Sequence, residues 1–130
     1  MKSIIAVILV LLTGLSTEVF SGDDPSIKGK TREGIQAAMK HHIGENSLED
    51  RYIIYDAKTG KLNRLIFKEL HKGIVKKGDF YVSCADFQDS LGKKYDVDFL
   101  VVQKEGRFHL LQGLVHSVDG KKRKYHVEAD

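Results

Sequence analysis

The chain has 130 residues, 42% of them apolar and 30% charged, with one cysteine and a net charge of +3. That length holds one domain with a core of its own, and a single cysteine excludes an intramolecular disulfide framework. So mild a positive excess speaks to solubility more than to a polyanionic partner.

Residues 1–21 have the grammar of an export signal: Lys2, an apolar run over 4–12, and a small-residue cleavage site with Val19 and Ser21 at the positions that matter. The run is well short of the roughly 20 residues a spanning helix needs, so no stable membrane insertion is expected. Cys84 lies far beyond the leader, which excludes a lipoprotein. Residues 22–130 are then a single exported domain, periplasmic or secreted, for which nucleic acid is no partner. The absence of an Asn-x-Ser/Thr sequon fits a bacterial periplasm.

Past a polar stretch over 22–30, Ile35, Ala38, Met39, His42 and Ile43 fall on one helical face, with Thr31 as N-cap and Gly44 as stop. His42 lies on the buried stripe and is expected to be a core histidine with a hydrogen-bond partner. From Arg51 the period changes. Residues 52–55 are rich in β-formers, 56–60 make a turn with Gly60 at its left-handed position, and 62–70 read as the returning strand, although Leu62, Leu65, Ile66 and Leu70 also match a helical face. Gly78-Asp79 then turns the chain into a meander of FYVSCADF, YDVDFLVV, RFHLLQGLVHS and KYHV. One helix followed by five to six antiparallel strands makes the chain α+β.

A turn over 88–94 can set Phe80, Val82 and Cys84 opposite Val101, Phe99 and Val97, with Asp86 opposite Tyr95. Continued through the next turns, the same face receives Phe108, Leu110, Gln112, Leu114 and His116, then Arg123, Tyr125 and Val127. One end of that face is apolar and the other polar, so Asp86, Tyr95, Gln112, His116 and Tyr125 are expected to line the mouth of a small-molecule pocket or to satisfy one another as a structural network. The opposite face, with Leu100, Leu111 and Val115 among its residues, is too apolar for open water. Either a second copy covers it, making a homodimer, or a bent sheet wraps it.

Cys84 reads as a small buried hydrophobe rather than a reactive thiol. Six histidines are present, and Glu69/His71 and Asp96/Asp98 each share a strand face, yet none has the paired spacing of a zinc site. No metal and no cofactor are therefore expected. The basic run over 121–124 reads as a solvated turn, with an anionic ligand as the sharper alternative.

Helix first and curved meander after resembles the cystatin-like and NTF2-like architectures, in which a sheet wraps a helix and often encloses a pocket. The phrases FKELHKGIVKKGDFYVSCADF and LVHSVDGKKRKYH are similar to a group of small exported bacterial proteins of unassigned function. Cystatin inhibitors carry a Gln-x-Val-x-Gly hairpin, which Gln103-Lys104-Glu105-Gly106 does not reproduce. The NTF2-like resemblance implies an Asp/His or Tyr/Asp set in the cone, which Asp86, Tyr95, Gln112 and His116 could supply. Three functions are thus open: a non-enzymatic binding module with that pocket, an enzyme using His116 as acid or base oriented by Asp86, or an interaction protein acting through Leu100, Leu111 and Val115.

Overall fold

In the computed structural model, which describes residues 22–125, helix α1 (Gly29–Glu45) precedes seven antiparallel strands lying side by side in chain order. They are β1 (Ser47–Leu48), β2 (Arg51–Asp56), β3 (Lys61–Lys77), β4 (Phe80–Gln88), β5 (Lys94–Lys104), β6 (Arg107–Val118) and β7 (Lys121–Lys122). The α+β meander stands, with seven strands in place of five to six. Residues 62–70 are strand, as the hairpin signal implied. The final strand is displaced: it is Lys121–Lys122, while Lys124 and Tyr125 of KYHV are not strand and His126 and Val127 lie outside the described residues. The leader expected over 1–21 lies outside them too.

Helix α1 buries Ile35, Met39 and Ile43, the stripe that the helical period marks. It runs past Gly44 because Asn46 caps it, donating both its N–H (3.0 Å) and its Nδ2 (2.9 Å) to the His42 carbonyl. Gly34 lets the helix lie close on β6: a Cβ there would come within 2.5 Å of the Phe108 ring. The sheet curls so far round the helix that β2 touches β6. At that contact a Cβ on Gly113 would meet the Tyr52 hydroxyl at 2.9 Å and Phe99 at 3.0 Å.

The register of β4 on β5 is one residue off the expected one. Tyr81, Ser83, Ala85 and Phe87, not Phe80, Val82 and Cys84, pair with Val101, Phe99, Val97 and Tyr95 and face the helix. Phe87 decides this. Its ring stacks on Tyr52 at 5.1 Å and packs beside Phe99, whereas the expected register would bury Asp86 in its place. The loop agrees, because the Asp89 carboxylate accepts the N–H groups of Leu91 and Lys93, both at 2.9 Å, and fixes Gln88 opposite Lys94.

A slip of one residue exchanges the faces. Val75 and Val82 form a second small cluster on the side away from α1, with Phe80, Leu100, Leu114 and Tyr125 packed on it. The protein's own Tyr125 thus helps cover a surface expected to need a second copy. Val115 is core, Leu100 is half-buried in this cluster, and Leu111 at 61% exposure stands alone of the three, so they do not form the common outer patch expected of a dimer.

Candidate functional site

The side chains of the candidate site are set by irregularities of the ladder. Between Leu70 and Ile74 strand β3 bulges, so that His71, Lys72 and Gly73 stand where β4 offers only Cys84. A bulge gives up ladder hydrogen bonds, and its backbone groups must find partners elsewhere. Here Arg32 of α1 donates to the Lys72 carbonyl, Ser83 Oγ donates to the Gly73 carbonyl (2.7 Å), and Asp24 N–H donates to the Ile74 carbonyl (2.7 Å). The same Arg32 bonds the Ile27 carbonyl and the Asp23 carboxylate, both at 2.9 Å, and so ties the helix, the lead-in segment and the bulge together.

Behind this bulge, on the face away from α1, lies a cavity of about 710 Å³. Leu70, Val75 and Val82 supply its apolar lining, and His71, Cys84, Asp96 and His116 its donor atoms. They come from four adjacent strands. Cys84 pairs with Asp98 and Asp86 with Asp96 across β4 and β5, while a second bulge, in β6, brings His116 to the same row. His71 Nε2 lies 2.7 Å from Asp86 Oδ1. His116 Nδ1 lies 3.2 Å from Asp98 and 3.9 Å from Asp96 Oδ2. Asp98 is 0% exposed and His116 7%, so this contact is a buried one. One donor atom each from His71, Cys84 and Asp96 lie within 4.8 Å of one another, as do one each from Asp96, Asp98 and His116.

Comparison with protein families, curated proteins and solved structures returned no match. What the site can do follows from its donor atoms. Imidazole, thiol and carboxylate together are a set that can hold a divalent metal or, with His71 oriented by Asp86, can activate a thiol.

Of the residues expected at a pocket mouth, His116 lines this cavity and Asp86 stands behind His71. His116 and Asp86 do not pair as expected of an acid–base couple: each has a different partner, Asp98 and His71. Tyr95 faces the other side of the sheet and packs on the main core, where burial, then the Asp89 charge, raises its phenol pKa. It meets Asp86 only at a separate, smaller depression of about 360 Å³ at the sheet end. Gln112 is exposed, and Tyr125 belongs to the second apolar cluster. His71, Cys84, Asp96 and Asp98 were not expected in the site. Their signal was the run of polar i, i+2 pairs on successive strands, Glu69/His71, Cys84/Asp86 and Asp96/Asp98.

Proposed function

We propose that the protein is an exported, non-enzymatic binding module whose ligand seat is the cavity behind the β3 bulge. The observation that carries this reading is the convergence of His71, Cys84, Asp96 and His116 on a cavity of about 710 Å³ to which Leu70, Val75 and Val82 give an apolar part. Small-molecule sites span roughly 300–1,000 Å³ and carry placed polar groups; this cavity has that size, with a more charged lining that suits a polar ligand. In this reading residues 1–21 are a leader, and cleavage after Ser21 makes Gly22, a residue of the cavity lining, the first of the mature chain. The order of helix and meander supports a cystatin-like or NTF2-like architecture. Among the described residues no helix is long and apolar enough to cross a membrane.

The test is native mass spectrometry of protein isolated from its own host. A retained mass is expected that is released on denaturation and lost in His71→Trp, which plugs the lining with an indole. A bare protein mass under native conditions, with no ligand captured from host extract, would end the reading.

A second reading is an enzyme, and one observation favours it. His71 lies beside the Cys84 thiol and is oriented by Asp86 at 2.7 Å, the order of nucleophile, base and orienting group. His116 with Asp98 replaces His116 with Asp86 as the other couple. A hydrolase substrate screen separates the readings: turnover lost in Cys84→Ala supports the enzyme, and a wild type that turns over nothing leaves the binding module.

A further inference from the structure

Taking the cavity as the seat of binding, as proposed above, its donor atoms name the chemical class of what binds. Cys84 stands on β4, His71 on the β3 bulge and Asp96 on β5, and one donor atom from each lies within 4.8 Å of the others. Around a zinc ion with bonds of about 2.0–2.3 Å, tetrahedral N, O and S donors sit roughly 3.3–3.6 Å apart. The closure still needed is at most on the order of 1 Å, within reach of side-chain torsions on rigid strands. Thiolate, imidazole and carboxylate form a borderline set that suits zinc-type divalent ions better than calcium or magnesium, which take oxygen donors.

The surroundings support each donor in turn. Asp86 at 2.7 Å from His71 Nε2 fixes that ring, leaving Nδ1 as the lone-pair nitrogen, which is the outer partner metal-bound imidazoles usually have. Behind Asp96 stands His116, 3.9 Å away and itself held by the buried carboxylate of Asp98 at 3.2 Å. Carboxylates outnumber the cations around the site: with Asp23 taken by Arg32, Glu69 and Asp96 line the cavity against Lys72 and Lys122, with Asp86 and Asp98 behind. A divalent ion offsets that excess at the point where two of these carboxylates are least hydrated. With three protein donors the fourth tetrahedral position opens on the cavity, which leaves a place for a water or a small anionic ligand on the ion.

We infer that His71, Cys84 and Asp96 are the ligands of a zinc-type divalent metal ion, with Asp86 and the His116–Asp98 pair as the groups that orient them. Binding converts the Cys84 thiol to a thiolate, and the proton goes to the buffer.

The experiment titrates the chelator-stripped full chain with Zn²⁺ against a chromophoric competitor, and with Co²⁺ in the absorption spectrometer. One ion per chain is expected, together with a thiolate-to-cobalt charge-transfer band in the near ultraviolet. Cys84→Ser abolishes that band, and His71→Ala and Cys84→Ser each weaken zinc at least a hundredfold. Asp86→Asn weakens it about 10–100-fold, the range found when an outer partner is removed. His41→Ala, which removes an exposed histidine of α1, leaves the affinity unchanged. If Cys84→Ser does not fold, the wild-type cobalt spectrum decides alone: binding without the charge-transfer band overturns the assignment, as does zinc affinity that survives His71→Ala. Failure to bind zinc by a protein that still retains an organic ligand in the native mass spectrum overturns the metal site and leaves the binding module standing. A chain that holds neither loses both.

Discussion

At the scale of single residues, His42 shows how much one imidazole can report. Its Nε2 lies 2.9 Å from the Tyr52 hydroxyl, and the Asn46 amide lies 3.2 Å from its Nδ1. With Nδ1 accepting, Nε2–H donates to Tyr52, so the ring is neutral. Burial, with a smaller contribution from the His41 charge, holds its pKa below the ordinary value. A depressed histidine contributes stability that is present above the unfolded pKa of about 6.5 and is lost as pH falls through the folded one. An NMR titration should therefore find the His42 ring protonating below the ordinary imidazole value, and unfolding free energy should fall over the same range. A ring titrating at or above the ordinary value contradicts this. His42 was legible in the sequence as a core histidine because helical spacing alone puts it on the stripe of Ile35, Met39 and Ile43.

Gly113 makes the complementary point. No periodicity marks it, since what it avoids is Tyr52, a residue from a strand far away in the chain. Gly113→Ala would push a methyl group to 2.9 Å from the Tyr52 hydroxyl and 3.0 Å from Phe99. The expected cost is about 1–3 kcal/mol of unfolding free energy, as for other overpacked cores. Denaturant unfolding at constant m-value checks it.

Among the elements, β3 and β4 carry the site. Strand β4 has two nearly equivalent faces, Phe80-Val82-Cys84 and Tyr81-Ser83-Ala85-Phe87, and local hydrophobicity cannot choose between them. The choice is made by Phe87, which has its stacking partner in Tyr52, and by the Asp89 turn. For that reason the strands themselves were legible and the face that Cys84 occupies was not. The same limit hid the β3 bulge, which exists because Arg32, Ser83 and the 23–24 segment replace the missing ladder partners. Arg32→Ala removes the tie between helix, lead-in segment and bulge. Amide exchange over 72–74 should then accelerate more than in the rest of β3, and zinc affinity should drop with the fold intact. Unchanged exchange in that segment would show that the bulge stands without Arg32.

On the scale of the whole molecule, the curled sheet is fastened at its far end by Arg123, whose Nη1 and Nη2 donate to Asp56 Oδ1 and Oδ2 at 3.1 and 2.9 Å. Both side chains are buried, and they join β2 to the segment after β7. Burial pushes the Asp56 carboxyl pKa up, but the Arg123 hydrogen bonds and charge, with Lys58 N–H and Thr59, bring it below the usual value. Its stabilisation is thus present above about pH 3.9 and lost as pH falls through the lower folded pKa. Arg123→Ala should cost about 3–5 kcal/mol at neutral pH, because it leaves a buried carboxylate uncompensated. In that variant burial is opposed only by the Lys58 N–H and Thr59 hydrogen bonds, so the folded pKa of Asp56 rises from its wild-type position and protonation relieves part of the penalty. The difference between wild type and variant should shrink as pH falls toward 4, and a difference that stays constant contradicts the pairing.

The central claim is that Cys84 looks away from the helix and shares a cavity with His71 and Asp96. Alkylation of Cys84 by a small haloacetamide, followed by mass spectrometry with and without Zn²⁺, tests it most directly. A thiol that reacts in the native metal-free chain, is protected at least tenfold by Zn²⁺, and loses that protection in His71→Ala is the predicted result. A thiol that stays inert until the protein unfolds, as a cysteine buried under the helix would, contradicts it.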